Sequence, residues 1–400
     1  MENAQLGESL VAWRELTGLT QAELAEKSKV PRATITQIET GRFKPSTEAL
    51  QALAKAFGIG VLDLLTPPHF KIQNVRFRSP KPLKSRNELL AQITRDLQTY
   101  SELEELVGQK NDLKLIDDLS SQITNASSHE KAALIIRKAL GVDSADQQQL
   151  IRDLPGLLEE RAKLKILRVN LANADFFGLS VRDAEIGPAI AVNSWDRISI
   201  ERQLFTLAHE FGHLLLHKDD YNPEEKAEEA KKEGEADNFA GYFLMPTKLF
   251  ELEYNDAAGL SLFDRVLKLK KIFHVSYKAV LYRLARHYGK KDIWVKFQME
   301  CKRNIGRTLS PKEELFPCSK TRSEEFEELK AHDFFPDRKN RLVIKALEMD
   351  RISVSRAAEI LDMDLGDFRE LYRSVKQFSL ENSTNEVVRP LGGNLGGVSP

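Results

Sequence analysis

Residues 207–217 read Leu-Ala-His-Glu-Phe-Gly-His-Leu-Leu-Leu-His. On a helix, His209 and His213 stand one turn apart on one face with Glu210 beside them, while Leu207, Ala208, Phe211, Leu214 and Leu215 make the other faces apolar. Such a helix belongs in an interior, and buried imidazoles and carboxylates need partners. The segment therefore commits the chain to a fold that brings more polar groups to this helix. Two imidazoles at i and i+4 can share one metal ion, and the adjacent glutamate is placed as a general base for water. A similar start at His129–Glu130 forms no pair, because position 133 is Ala.

A catalytic zinc takes three protein ligands and one open position. The metzincin spacing would need a His six residues after His213 and a Gly three after it, and those positions hold Asp219 and Leu216. His217 lies about 12 Å from His209 along a continuing helix at about 1.5 Å per residue, so it is read as a supporting or surface histidine. Cys301 and Cys318 are too few for a thiolate site or a disulfide framework and are read as ordinary thiols. The remaining source is a second helix over Glu233–Pro246, whose buried stripe is Ala236, Phe239, Ala240 and Phe243. Glu233 and Asp237 share a face beside that stripe. Glu235 is turned about 160° from Asp237 at about 100° per residue and is expected in solvent. In gluzincin architecture a glutamate on this second helix completes the site, and the acid four residues later accepts the other N–H of a ligand histidine. That makes Glu233 the third ligand and Asp237 the group that orients a histidine.

Around these helices the chain is mainly α-helical with a small α+β part. Residues 1–66 read as a densely helical domain with breaks at Gly18, Ser28–Pro31 and Gly41–Pro45, followed by a basic connector over 67–90. Within it Phe70–Arg86 holds six basic residues, two prolines and no acid, and reads as exposed and partly extended. It is either a solvated linker or a source of phosphate contacts. Residues 91–163 are again helical. Leu164–Val169 and Pro188–Asn193 are short β-branched runs read as strands of a domain over 164–290. A helical domain over 291–375 and a disordered tail over 376–400 complete the chain. Ile352–Tyr372 has a faint helix-turn-helix look and is read as part of a plain helical bundle.

Leu19–Gly41 implies helices over Gln21–Lys27 and Arg32–Glu39 around a turn at Ser28–Pro31, with Leu24, Ala25, Val30, Ile35 and Ile38 inward. A second helix of this kind enters the DNA major groove, which makes Arg32, Ala33, Thr36 and Gln37 the base-facing candidates and puts Gln21 near a phosphate. Through Thr20, Gln21, Leu24, Ala25, Ile35, Ile38, Glu39, Gly41 and Pro45 the segment 5–64 resembles the lambda-repressor-like, Xre-type helix-turn-helix, a likeness that implies five helices. Pro31 departs from the Ser or Thr that usually caps the recognition helix there. Residues 1–65 hold seven basic and eight acidic residues, so a protein-binding helical bundle is the competing reading.

With both site helices in view, the segment from about Leu157 to Arg286 resembles the ImmA/IrrE family of metallopeptidase-like proteins. The resemblance is carried by Pro188–Asn193, Phe205–His213, Glu233, Ala236–Asp237, Phe239–Ala240, Leu244–Pro246, His274–Ser276 and Arg283–Leu284. It implies a zinc endopeptidase in a DNA-binding regulator, with His209, His213 and Glu233 on the metal, Glu210 as the proton carrier and a repressor or similar protein as substrate. Tyr242, Tyr282 and Arg283 are the candidates for stabilising an oxyanion. The strand Pro188–Asn193 is expected to offer an edge to an extended substrate. The rival is a DNA-binding regulator or antitoxin whose peptidase-like domain senses metal, ligand or partner without catalysis. Lys+Arg 59 against Asp+Glu 60 excludes a generally polycationic nucleic-acid coat, which leaves a local operator contact on double-stranded DNA. No apolar run reaches the ~20 residues of a membrane span, and the first ten residues have no signal-peptide pattern. The expected setting is the cytoplasm, with a homodimer left open.

Overall fold

Caps and breaks in the sequence set the first five helices. In the computed structural model, which describes residues 2–65, 75–78, 86–173, 175–218, 226–289, 292–310, 313–315 and 336–386, these are α1 (Glu2–Leu16), α2 (Gln21–Ser28), α3 (Arg32–Glu39), α4 (Thr47–Phe57) and α5 (Val61–Leu65). Thr20 accepts from the Glu23 amide while the Glu23 carboxylate returns to the Thr20 backbone, a reciprocal cap that fixes the start of α2. Pro31 stands at the start of α3 and supplies no side-chain bond. Leu10, Trp13, Leu24, Ile35, Ile38 and Leu53 fill the space between these helices.

A strand, β1 (Val75–Arg78), and helix α6 (Arg86–Leu106) follow. Ala91 of α6 lies in the same core as α1–α5, and Arg95 donates to Gly58 O at 2.9 Å. The connector was read as exposed and partly extended; its residues 75–78 are extended, as a strand paired with β3, and its last residues begin α6. Its remaining residues, 67–74 and 79–85, lie outside the described residues.

Next come α7 (Lys114–Ile123), α8 (His129–Ala139), α9 (Leu154–Arg161) and the strands β2 (Lys165–Val169), β3 (Gly178–Asp183) and β4 (Gly187–Asn193). The strand order is β1-β3-β4-β2, with β3 antiparallel to both neighbours and β2 parallel to β4. All seven residues of β4 are buried, as suits a strand covered on both faces. The expectation that Pro188–Asn193 offers an edge is therefore wrong: β3 and β2 occupy its two sides. Local patterning marks a strand but carries no information on which neighbours it takes.

The helices α10 (Ile200–Leu216), α11 (Lys226–Leu244), α12 (Thr247–Asp256), α13 (Leu262–Phe273), α14 (Tyr277–Tyr288) and α15 (Ile293–Ile305) complete this part. One core holds Ile136, Leu158, Ile190, Phe211, Phe239 and Phe297 together. Boundaries expected at 163/164 and 290/291 fall inside that core, because leucine spacing shows that a face is buried and not in which core. Arg137 of α8, fully buried, pairs with Asp143 at 2.7 Å and donates to Phe243 O of α11 at 2.5 Å.

The chain divides into one unit of residues 1–101 and 110–338 and a second of 102–109 and 339–400. In the second, α16 (Arg338–Glu348), α17 (Val354–Ile360) and α18 (Leu365–Glu386) bury Leu342, Val343, Ala346, Ala357, Ala358 and Phe368. Helix α18 runs ten residues past the expected start of the disordered tail at 376, since no glycine or proline interrupts the chain before Pro390; residues 387–400 lie outside the described residues. Among the described residues no helix is long and apolar enough to cross a membrane.

Glu159 on α9 is fully buried, and its Oε2 accepts from the amides of Asp337 and Arg338, both at 3.1 Å. Burial outweighs these bonds and pushes its carboxyl up to about 7. The folded state thus holds a proton that the unfolded chain releases near the ordinary glutamate value. Stability from this group is present below that value and lost as pH rises toward 7. Glu159→Gln should flatten this slope, removing about 2–3 kcal/mol of pH dependence between pH 5 and 8. Urea denaturation of both proteins at the two pH values measures it, and equal slopes would refute the assignment.

Candidate metal centre

Ser199 caps α10 by accepting from the Arg202 amide, and the helix then runs inward for 17 residues. His209, Glu210 and His213 are exposed by 1%, 0% and 1%. Gly212 lies between the two histidines where α11 crosses. A Cβ there would sit 3.0 Å from Phe239 Cδ1 and 3.5 Å from the Ala236 backbone. The missing methyl lets the helices approach, and Phe211, Phe239 and Phe243 close the seam with ring centroids 5.6–6.1 Å apart. Gly212→Ala should cost about 1–3 kcal/mol, as overpacked sites do, and loosen metal binding. Thermal denaturation and a metal titration test it, and unchanged values for both would mean that the seam has slack.

The approach delivers Glu233 to the histidine pair. Its Oε2 lies 3.2 Å from His209 Nε2 and its Oε1 3.1 Å from His213 Nε2, and the two Nε2 atoms are 3.0 Å apart. One donor atom from each of His209, His213 and Glu233 falls within 4.8 Å of the others, the geometry of a group that could hold one metal ion. Burial works against the Glu233 charge, but the contacts with His209 and His213 prevail and hold its carboxyl far below the usual carboxylate range.

Each histidine is also held from behind. Asp237 Oδ1 lies 2.7 Å from His209 Nδ1. For His213 the partner is His217, the supporting one of the two places expected for it. Helix α10 ends at Leu216, and His217, at φ −124 and ψ 37, folds back. It is buried, with its Nδ1 2.9 Å from His213 Nδ1 and its Nε2 2.9 Å from Glu235 Oε2. Glu235, expected in solvent, is thus the carboxylate that fixes His217. Helical angles within α11 placed Glu235 away from Asp237 but could not show that His217 folds back from the end of α10 to meet it.

Of the oxyanion candidates, Arg283 is tied to the corner after α11: it donates to Thr247 Oγ1 at 2.6 Å and Met245 O at 3.3 Å and stacks over Tyr242 at 4.2 Å. Tyr282 is exposed and lines an open cavity of about 370 Å³ with Asp237, Asn238, Tyr242 and Arg286. Cys301 is buried in α15, its thiol pushed up to about 11 by desolvation; Cys318 lies outside the described residues.

On α3 the buried Ile35 and Ile38 turn the helix so that Arg32, Ala33, Thr36 and Gln37 are exposed together. Gln21 is half-buried at the start of α2, where its amide donates to Glu39 at 2.7 Å and accepts from Thr36 at 3.3 Å. Glu39 also pairs with Arg14 at 2.6 Å. This network locks α2 against α3 and leaves the four exposed residues as the outward face.

Residues 159–285 match the peptidase family M78 model, described as the IrrE N-terminal-like domain, and residues 10–64 match a helix-turn-helix model. Over 56 residues the chain is 41% identical to the immunity repressor protein of Bacillus phage phi105, covering 14% of this chain and 39% of the repressor. Over 52 residues it is 42% identical to an uncharacterized HTH-type transcriptional regulator of Methanocaldococcus jannaschii, covering 13% of this chain and 79% of that protein. The chain thus spans about two fifths of the length of the phage repressor and most of the archaeal regulator.

Proposed function

We propose that this chain, which joins an Xre-type, DNA-binding helix-turn-helix domain to an IrrE/ImmA peptidase-family domain, is a transcriptional regulator with a zinc-dependent endopeptidase that cuts a repressor or a similar partner protein. The observation that carries it is the convergence of His209, His213 and Glu233 within 4.8 Å, with Glu210 buried on the same turn of α10. Two imidazole nitrogens and one carboxylate oxygen fit zinc, in the three-ligand pattern that catalytic sites use. When bound there, zinc would supply Lewis acidity toward a peptide carbonyl and acidify water. Asp237 holds His209, and Glu235 through His217 holds His213, each by the ring nitrogen turned away from Glu233. Glu210 takes a proton from the attacking water and passes it to the leaving amine.

A chelator-treated chain mixed with the repressor encoded nearest to its own gene tests the reading. Cleavage that appears on adding zinc supports it. Operator binding without cleavage at any zinc level would instead favour a metal-sensing regulator.

The DNA-facing assignment makes a separate prediction. Arg32→Ala and Gln37→Ala should each weaken sequence-specific binding by about 1–3 kcal/mol, the range of one good base contact, with non-specific binding barely changed. Affinity measured on operator and random duplex separates the two effects. Equal loss on both would reduce these residues to backbone contacts.

A further inference from the structure

We infer that the chain is a substrate of its own metal centre: the connector strand β1 lies on the sheet edge that receives an extended peptide and is cut there in cis, between the helix-turn-helix and the peptidase-family domain. This rests on the peptidase reading above.

The sheet leaves one place for such a peptide beside α10. Among the described residues β4 is central, and of its two neighbours β3 is the one whose Gly178 comes against the helix that carries His209 and Glu210. Gly178, the first residue of β3, lies directly over that helix: a Cβ there would stand 2.6 Å from Thr206 Cγ2 and 3.7 Å from Glu210 Cγ. The edge therefore begins at Glu210 and runs away from it.

That edge is taken by this chain itself. Val75, Arg76, Phe77 and Arg78 pair antiparallel with Val181, Ser180, Leu179 and Gly178, so Arg78 sits opposite the residue that touches the Glu210 turn. An added strand held by backbone pairing is how extended peptides are recognised at sheet edges. Strand β1 also belongs to neither domain: the matched regions end at 64 and begin at 159. The peptidase-family sheet contributes β2, β3 and β4 from its own sequence, and its edge is filled by a segment from outside. Pro80 and Pro82 follow β1 in the sequence, and a proline has no N–H to give a ladder. Arg78 is the last described residue of β1 and sits opposite Gly178, so among the described residues of the strand its bonds lie nearest to Glu210.

The step is a hydrolysis. One water is consumed, the peptide C–N bond breaks, the carbonyl carbon takes the hydroxyl to become a carboxylic acid, the nitrogen takes the water's other proton, carried by Glu210, to become an amine, and the acid's proton then passes to that amine to leave a carboxylate and an ammonium. Its product is an N-terminal fragment holding α1–α5, parted from the metal centre.

Two measurements test the inference. In the metal-free full chain, hydrogen exchange should show those amides within Val75–Arg78 that donate to β3 slowed at least tenfold against unpaired backbone; exchange of all four at the unpaired rate would remove β1 from the edge and overturn the inference. Zinc is then added to the full chain at two concentrations tenfold apart, alongside the Glu210→Gln chain and a synthetic peptide of residues 70–86, and intact masses are followed. The expected result is a fragment ending within Val75–Arg78, formed at a rate unchanged by dilution and at least 100-fold slower in Glu210→Gln. A chain that stays whole, or is cut at a rate proportional to its concentration, while the peptide is cut, overturns the cis reaction and leaves the peptidase reading standing. If neither chain nor peptide is cut, and the repressor test above also fails, the peptidase reading falls with it.

Discussion

Glu210→Gln should yield a protein that binds metal as tightly as the parent and cuts its substrate at least 100-fold more slowly. The side chain is wholly buried on α10, yet its carboxylate is not among the three groups that converge on one point. Changing it to an amide keeps the shape and the packing beside Gly178 of β3 and removes only the ability to accept a proton. General acid–base groups contribute about 10²–10⁴-fold, and an amide contributes none of it. Parallel metal analysis and a cleavage time course measure both halves. Undiminished cleavage would remove Glu210 from the reaction, and loss of metal would make it a ligand.

The second large effect falls on metal affinity. His213→Ala leaves His209 and Glu233, and two protein ligands hold zinc poorly against a chelator; affinity should fall by several orders of magnitude. Glu233→Gln should do the same, because its two oxygens reach both imidazoles at 3.1 and 3.2 Å. The carboxylates behind the histidines should cost less, about 10–100-fold each. Asp237→Asn acts on His209 directly, and Glu235→Gln acts on His213 through His217. Competition titrations against a chromophoric chelator rank the four variants. Full zinc occupancy in His213→Ala would refute the site, and a loss at Glu235 larger than at Glu233 would exchange their roles.

How much of this was legible in the sequence depends on the range of the interaction. The two-helix signal of Leu19–Gly41 and the imidazole pair of α10 are local, set by residues three and four apart, and the structure places them as read. Helical periodicity put Glu233 and Asp237 on one face because α11 is continuous from Lys226 to Leu244, while their roles came from the likeness to gluzincin architecture. The same periodicity misplaced Glu235, since the residue it meets lies just beyond the end of α10, where periodicity no longer applies. Strand β3, Gly-Leu-Ser-Val-Arg-Asp, escaped notice because a glycine start and a charged finish leave few residues to alternate. Strand β1 was hidden among lysines, arginines and prolines: its pairing is a property of β3, more than 100 residues further on.

At the candidate site His209, His213 and His217 come from α10 or its end, and Glu233, Glu235 and Asp237, which meet them, come from α11. The two helices are therefore fastened side to side, like the leaves of a clasp, with an ion as the pin. An ion that binds only the closed pair raises the free energy of opening it by about 4 kcal/mol at a thousandfold excess over Kd. Metal supply would then set how long this clasp stays shut as well as whether it can react. In metal-poor conditions the α10–α11 pair loses that contribution and is held by its buried seam of Phe211, Phe239 and Phe243 alone.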